Sequence, residues 1–249
     1  MKKFETQREG LTIRGKIFGD ISKKSPVCIL SHGFMVNQKT CKTYAKTLAK
    51  EGKIAVTYDF CGGGIGVKSD GKTEDMTVFT EKRDLLAVID FVKKQEFAES
   101  ISLLGCSQGG FVSAMVAKEL KDQIKSLMLF YPALCIPDDA RKGQMIVFKF
   151  DPKYIPDILG KFPMKVGGDF ARSVVDLDVY SAIGGYEGPT FLIHGTSDRI
   201  VDIEYSRKAK KLYSKCEYHE IEKGAHGFKG KHDKEACRLL KEFAGRTMQ

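Results

Sequence analysis

Long apolar runs are missing from this chain of 249 residues. No stretch approaches the roughly 18 apolar residues that a membrane-spanning helix requires. The N-terminal sequence Met1-Lys2-Lys3-Phe4 continues into polar residues without the apolar core of a secretory signal. We therefore expect a cytoplasmic protein with no membrane partner, whose 42% hydrophobic residues build a globular core.

Cysteine patterns for metal or redox chemistry are also missing. The seven cysteines are an odd number, and no C-x-x-C occurs. Cys28, Cys106 and Cys216 lie in or beside apolar, strand-like runs, which favours reduced thiols of a cytosolic protein over a disulfide framework. Neither the cysteines nor the five histidines have the spacing of a zinc site, so we expect no metal.

Nucleotide-binding motifs are absent as well. The chain has no G-x-x-x-x-G-K-[ST] loop, and the glycine-rich run from Cys61 to Gly66 does not satisfy G-x-G-x-x-G because residue 67 is Val. We expect no cofactor. The net charge of +9 comes mainly from scattered lysines without the arginine-rich stripe of a nucleic-acid surface, so no nucleic acid is expected. Solvated helix faces explain the charge, and attraction of anionic substrates is the alternative.

Apolar runs alternate with helical patterns along most of the chain. The chain is predicted to open with a hairpin. Further strands are predicted at Val27–Ser31, Ile54–Tyr58, Ile124–Phe130, Thr190–His194 and Glu217–Ile221, and one more strand is predicted just before Gly105. Such alternation predicts an α/β protein with a mainly parallel sheet, in one domain of residues 1–249. The alternation breaks between Tyr131 and about Gly185, where prolines are frequent. We predict an inserted cap at residues 133–180, over the sheet edge where α/β proteins bind ligands.

The stretch Gly105-Cys106-Ser107-Gln108-Gly109 is a G-x-S-x-G motif between an apolar run and a helix-like segment. In that context the motif predicts a tight strand-to-helix turn that exposes the hydroxyl of Ser107. The glycines are required because a Cβ at either position would collide with the neighbouring strand or helix. A serine with no chemical role, in an ordinary glycine-rich turn, is the alternative.

A serine hydroxyl needs a base to act as a nucleophile. His226 lies in a loop just after the last predicted strand, whereas His219 lies inside that strand and His232 opens a helix rich in lysine, so His226 is the favoured base. Asp198 ends a strand in a turn and is the favoured acid. Asp202 is the rival acid, although its position fits a helix N-cap better.

Two backbone N–H groups are expected to stabilise an oxyanion beside Ser107. One belongs to Gln108, the residue after the nucleophile. The other belongs to Phe34, in the loop after the strand that ends in His32-Gly33, where the glycine lets the backbone turn inward. An ordinary strand-to-helix turn is the alternative, but the joint presence of the serine, acid and histidine in this order argues against it.

Taken together, these residues resemble the α/β-hydrolases of the serine esterase type over nearly the whole chain, and the bacterial feruloyl (cinnamoyl) esterases in particular. The motifs that carry the resemblance are His32-Gly33-Phe34, Asp59-Phe60 with Ser69-Asp70-Gly71, Gly105 to Gly110, His194 to Asp198, Gly224-Ala225-His226, and the cap stretches Ile136 to Arg141 and Phe150 to Pro156. The chain departs from that family in having Cys106 before the serine, a longer loop after Asp59, and Phe170 where some relatives have tyrosine.

The resemblance implies an α/β-hydrolase fold, the triad Ser107, Asp198 and His226, and hydrolysis of carboxylic esters, including those of hydroxycinnamates. It also suggests Asp138, Asp139 and Gln144 of the cap as substrate-binding residues, although acidic residues after Pro137 equally fit a helix cap.

We therefore expect a serine carboxylesterase with a small-molecule ester as substrate, as a monomer or a homodimer. A lysophospholipase, a monoacylglycerol lipase or a peptidase on the same fold is the alternative, and a binding protein without turnover is a more distant one.

Overall fold

The computed structural model describes all 249 residues. The strands, in chain order, are β1 Lys2–Arg8, β2 Leu11–Phe18, β3 Ser25–Ser31, β4 Ile54–Tyr58, β5 Ala98–Cys106, β6 Ile124–Phe130, β7 Gln144–Met145, β8 Phe148–Lys149, β9 Ile158–Gly160, β10 Val166–Gly167, β11 Thr190–Gly195 and β12 Cys216–Ile221. The α-helices are α1 Lys42–Lys50, α2 Val78–Lys93, α3 Gln108–Glu119, α4 Ile136–Arg141, α5 Asp169–Arg172, α6 Val179–Ile183, α7 Glu204–Ala209 and α8 Lys231–Thr247.

Eight strands form one sheet in the order β1-β2-β4-β3-β5-β6-β11-β12. Every pair from β4 to β12 is parallel, and β2 is antiparallel to both of its neighbours. The central strand β3 is buried at all seven residues, as expected for a parallel strand that is covered on both faces. The predicted mainly parallel sheet is confirmed.

Helices cover both faces of the sheet, and each face has its own core. One core contains 48 buried residues, among them Leu85 of α2 and Met115 of α3. The other contains 23, among them Leu48 of α1 and Leu240 of α8. None of the helices has the length and apolar character needed to cross a membrane. The seven cysteines form no disulfide, and five of them are buried.

The segment between β6 and β11, which we call the inserted segment (residues 131–189), has a different architecture. It contains three short helices, α4 to α6, and two separate two-stranded sheets, β7–β8 and β9–β10. Its strands are two or three residues long, so no alternating pattern could reveal them in the sequence. The segment begins where β6 ends, at the same sheet edge as the end of β5.

Candidate active site

Ser107 occupies the single residue between β5 and α3. Its backbone has φ 54° and ψ −121°, a conformation that costs a non-glycine residue about 1–3 kcal/mol. Surrounding hydrogen bonds hold it there: the Ser107 N–H donates to the Phe130 carbonyl at 2.9 Å, and the Ser107 carbonyl accepts from the Ala133 N–H at 2.9 Å. The strained turn is therefore fixed by contacts with the neighbouring strand and the start of the inserted segment.

Close backbone approach explains the two glycines of the motif. A Cβ on Gly105 would lie 2.2 Å from the Gly109 carbonyl oxygen, and one on Gly109 would lie 2.4 Å from the His32 carbonyl oxygen. Both distances are far below van der Waals contact, and the clashing atoms belong to the backbone. The geometry therefore agrees with the prediction that both positions require glycine.

His226 lies in the loop between β12 and α8 and reaches Ser107 from across the sheet edge. Its Nε2 is 2.9 Å from Ser107 Oγ, and its Nδ1 is 2.7 Å from Asp198 Oδ2. Since the carboxylate only accepts, Nδ1 carries the hydrogen and Nε2 accepts from the serine hydroxyl. The structure thus brings together three residues that are 28 and 119 positions apart in the chain.

The side chain of Asp198 is fully buried, and both of its carboxylate oxygens accept hydrogen bonds. Its Oδ1 accepts from the backbone N–H groups of Ile200 and Val201 at 2.8 and 3.0 Å, and its Oδ2 accepts from His194 as well as His226. Burial by itself would raise the pKa of Asp198, but the hydrogen bonds from the two histidines and Val201 outweigh it and hold the pKa below its usual value. Asp198 therefore stays ionised beside His226.

His194 is a second histidine at Asp198 that the sequence did not single out. The ring is completely buried, with Nε2 3.1 Å from both Asp198 Oδ2 and the Val201 carbonyl, and Nδ1 2.7 Å from Ser206 Oγ. Because both neighbours of Nε2 accept, Nε2 carries the hydrogen and Nδ1 accepts from the Ser206 hydroxyl. Its position at the end of β11, four residues before Asp198, is the feature of the sequence that could have predicted this contact.

Two backbone N–H groups, those of Gln108 and Phe34, belong to residues that line one cavity with Ser107. The Gln108 N–H is the first of α3 and has no acceptor within its own helix. The Phe34 N–H donates no hydrogen bond within the protein. A Cβ on Gly33 would come within 3.0 Å of Ser107 Cβ, so glycine lets the loop before Phe34 run directly beside the nucleophile.

The buried ring of His32 fixes that loop. Its Nδ1 lies 2.8 Å from the Gly33 carbonyl, and its Nε2 accepts from the Phe60 N–H at 3.1 Å. Burial lowers the pKa of His32, which keeps the ring neutral and lets Nδ1 donate to Gly33. The ring thus ties the turn at Gly33 to the end of β4.

The glycine-rich run after β4 packs against the same loop. Gly64 forms a β-bridge with Met35, and a Cβ on Gly64 would lie 1.8 Å from the Val36 carbonyl oxygen. The Asp59 carboxylate accepts from the N–H groups of Gln38 and Lys68 at 2.8 and 2.9 Å, which joins the two loops. These glycines serve close backbone packing around the site.

The rival residues lie elsewhere. The His219 ring is 2.8 Å from Glu217 on the edge strand β12, and the Asp202 carboxylate accepts from the Glu204 N–H at 2.9 Å at the start of α7. His232 is half-buried at the start of α8. None of the three is hydrogen-bonded to Ser107, Asp198 or His226.

A cavity of about 260 Å³ opens beside Ser107 under the inserted segment. Ten of its fifteen lining residues are hydrophobic; the lining is Phe34, Ser107, Gln108, Ala133, Cys135, Ile136, Asp139, Gln144, Met145, Ile146, Val147, Phe170, Arg199, Ile200 and Val201. The rings of Phe34 and Phe170, both in this lining, are stacked on each other with centroids 5.2 Å apart.

The three cap residues suggested by resemblance are placed differently. Asp139 and Gln144 line the cavity, and burial raises the pKa of Asp139. Asp138 does not line it, because its carboxylate accepts from the Tyr205 hydroxyl and pairs with Arg141. Of these three side chains, the cavity therefore presents one half-buried carboxyl group and one amide, and Arg199 adds a guanidinium group to the lining.

Several known proteins are similar to this chain. The family model described as Hydrolase_4, serine aminopeptidase S33, matches residues 22–173. Est1E from Butyrivibrio proteoclasticus with bound ferulic acid is 31% identical with a TM-score of 0.92, and another structure of Est1E is 28% identical with a TM-score of 0.88; each covers 98% of both chains. The esterase Pf2001 from Pyrococcus furiosus, 21% identical over 100% of this chain and 93% of its own, shares the fold with a TM-score of 0.76. Among curated protein sequences none matches.

The matched residues run from just before β3 to the end of α5 and include the Ser107 turn, and the likeness to Est1E extends over nearly all of the chain. The chain accordingly belongs to the serine aminopeptidase S33 family, Hydrolase_4, of the α/β-hydrolases.

Proposed function

We propose that this ester hydrolase works through an acyl-enzyme on Ser107, with His226 as the base and Asp198 as the acid. The observation that carries the proposal is the unbroken series of hydrogen bonds from Ser107 Oγ through His226 to Asp198, at 2.9 and 2.7 Å. Ser107 Oγ attacks the ester carbonyl while His226 Nε2 takes its proton. The same nitrogen then returns the proton to the departing alkoxide, and water attacks the acyl-enzyme in the reverse order.

Negative charge develops on the carbonyl oxygen as Ser107 attacks. The N–H groups of Phe34 and Gln108 stabilise it, because one has no partner in the protein and the other lies at the N-terminus of α3, where the helix dipole favours an anion. Removing one such donor costs about 3 kcal/mol of transition-state stabilisation.

Residues 133–180 of the inserted segment act as a cap that selects the acyl group. The cavity beneath it is lined by ten hydrophobic residues, among them the stacked rings of Phe34 and Phe170, and such a lining suits an aromatic ring. Asp139 offers a half-buried carboxyl group at the same cavity. A hydroxycinnamate ester has both a flat ring and a phenolic hydroxyl, and the likeness to the Est1E structure with ferulic acid supports this choice.

Peptide hydrolysis is the second candidate, because the matching family model describes a serine aminopeptidase. An aminopeptidase must bind a substrate ammonium group, for which an ionised carboxylate is the natural partner. Asp139 is the only carboxyl group that lines the cavity, and its burial raises its pKa and so disfavours the ionised form. The raised pKa of Asp139 and the guanidinium group of Arg199 in the same lining both weigh against an ammonium group.

The test compares kcat/KM for methyl ferulate, a nitrophenyl butyrate, a long-chain nitrophenyl ester and an aminoacyl nitroanilide. We expect the aromatic ester to be the best substrate and the nitroanilide to be the poorest. A preference for the long-chain ester assigns the cavity to a lipid, and a preference for the nitroanilide assigns it to a peptide; either result overturns the hydroxycinnamate proposal.

A further inference from the structure

A second buried carboxyl group lies behind the Ser107 turn. Glu81, in the first turn of α2, is fully buried. Its Oε2 accepts a 2.7 Å hydrogen bond from the side-chain Nε2 of Gln108, which is itself 1% exposed. Gln108 is the residue after the nucleophile, and its backbone N–H is the proposed oxyanion donor, so Glu81 contacts through a side chain the residue that supplies that donor.

Asp84, one turn further along α2, shows how this protein stabilises a buried negative charge. Its Oδ1 accepts from the Arg8 guanidinium at 2.8 Å, and its Oδ2 accepts from the Cys61 N–H at 2.8 Å. Both oxygens are satisfied, and a cation balances the charge. Glu81 has no cation among its partners and receives its one hydrogen bond from a neutral amide.

Two oxygen atoms are left without partners at the contact between Glu81 and Gln108. Glu81 Oε1 and Gln108 Oε1 are both buried and accept no hydrogen bond. Leaving such atoms unpaired is costly, and an ionised glutamate has no donor to offer. One proton on Glu81 supplies the missing donor, because a carboxylic acid and a primary amide can pair through two hydrogen bonds, one in each direction.

We propose that Glu81 is a neutral carboxylic acid that pairs with the Gln108 side chain and thereby holds the Gln108 N–H in position to stabilise the oxyanion. This inference rests on the oxyanion role proposed above. Glu81 is a positioning residue, because it acts through Gln108 and touches no reacting atom.

The surroundings of Glu81 agree with a neutral acid. Burial raises the pKa of Glu81 well above its usual value, and the nearby Asp84 charge adds to the shift, whereas the Gln108 hydrogen bond opposes it. Tyr58 on β4 and Cys61 after it are both neutral, since burial raises the pKa of each, for Cys61 to about 12. Asp84, the charged group that acts on the pKa of Glu81, is paired with Arg8. Burial raises the pKa of Asp84 as well, and the charge and hydrogen bond of Arg8 oppose that shift.

The substitutions that test the proposal are Glu81→Gln, which keeps a neutral hydrogen-bonding side chain, and Glu81→Ala, which removes it. Asp90→Ala, on the exposed face of the same helix, is the control. We expect Glu81→Ala to lower kcat about tenfold or more with little change in KM, because an oxyanion contact is made only in the transition state. Glu81→Gln and the control should stay within about threefold of wild type.

Rates are to be divided by the number of sites that react with a fluorophosphonate, so that loss of folded protein is not counted as loss of kcat. A normal kcat for Glu81→Ala, or a loss that appears in KM alone, would overturn the positioning role. If the fluorophosphonate does not react with wild-type Ser107, the proposed function fails instead, and the two failures are thereby distinguished.

The protonation state of Glu81 can be measured separately by infrared spectroscopy, and this measurement does not depend on whether Glu81→Ala folds. The infrared difference between wild type and Glu81→Gln at about pH 8 should contain the C=O band of a protonated carboxyl group. Its absence would overturn the neutral acid.

The pH dependence of the melting temperature is a second test of whether Glu81 is protonated. An acid whose pKa is raised by folding contributes stability that is present below its unfolded pKa of about 4.3 and is lost as pH rises above it. The melting temperature of wild type should therefore fall more steeply between about pH 5 and 8 than that of Glu81→Gln. Equal slopes would contradict the proposal.

Discussion

The sheet edge around Ser107 and the inserted segment above it are built in opposite ways. At the sheet edge, Asp198 accepts four hydrogen bonds, and the backbone at Ser107 is fixed by bonds to Phe130 and Ala133. The inserted segment consists of strands of two or three residues and of short helices. It leaves large apolar side chains exposed, Val147 at 63% and Phe162 at 86%.

This difference supports separate roles for the two regions, with the chemical step at the sheet edge and substrate selection in the inserted segment. Groups that must hold a proton or a developing charge are placed on strand ends and the strained turn, where a small displacement is resisted by many contacts. Under the proposed function, part of the substrate contact comes from the inserted segment, which adds no strand to the main sheet. Substitutions at the sheet edge should therefore change kcat for every ester, whereas substitutions in the inserted segment should discriminate between esters.

The largest effect is expected for Ser107→Ala. We expect kcat to fall by about 10⁴-fold or more on every ester, because the nucleophile is lost while the protein stays folded. Ser113→Ala, in the following helix α3, is the matched control, since the Ser113 hydroxyl is buried without a partner. Turnover of purified Ser107→Ala within tenfold of wild type would remove Ser107 from the mechanism.

Asp198→Asn should lower kcat by about 10³- to 10⁴-fold, because an amide no longer holds the His226 ring in the tautomer that accepts from Ser107. Asp202→Asn is the paired control and should stay within a few-fold of wild type, since Asp202 only accepts from the Glu204 N–H at the start of α7. Steady-state kinetics on one ester suffices, and the reverse ranking would transfer the acid role to Asp202.

Much of the sheet edge could be predicted because its determinants are local. The apolar run of β3 specifies a buried strand, and the glycines at 105 and 109 specify a turn in which no Cβ fits. The order of Ser107, Asp198 and His226 at strand ends then places the three side chains at one edge. These features survive in the sequence because each depends on a few consecutive residues.

The rest depends on contacts between distant elements. Glu81 has the pattern of a helix N-terminus, and only the packing of α2 against α3 reveals that it is buried beside Gln108. Asp138 and Asp139 are adjacent in sequence. Asp138 nevertheless accepts a hydrogen bond from Tyr205, 67 positions away, whereas Asp139 lines the cavity. The family resemblance suggested both residues as substrate-binding, but in the structure only Asp139 lies at the cavity.

That separation predicts a smaller, selective effect in the inserted segment. Asp139→Ala should lower kcat/KM for methyl ferulate about tenfold, which corresponds to one lost hydrogen bond to the phenolic hydroxyl. A butyrate ester, which presents no hydroxyl, should be nearly unaffected. Asp138→Ala should not discriminate between the two esters, because its carboxylate pairs with Tyr205 and Arg141. Equal losses on both esters for Asp139→Ala would make that residue structural.

The smallest effect is expected at the rim of the cavity. Val147 lines the cavity while remaining largely exposed, so Val147→Ala removes two methyl groups that are only partly in contact with a ligand. We expect KM for methyl ferulate to rise about threefold with kcat unchanged. Tyr154→Ala, at an exposed site in the same segment away from the cavity lining, is the control. A change in kcat would break the proposed division between the two regions.

The most direct test of the account is to trap the acyl-enzyme. The protein is mixed with a nitrophenyl ester, quenched in acid, digested and analysed by mass spectrometry, and a fluorophosphonate serves as the irreversible equivalent. We expect one acyl group on the peptide that contains Ser107, absent from Ser107→Ala and greatly reduced in His226→Ala. An adduct on Cys106 or another residue, or full turnover with no adduct on Ser107, would contradict it.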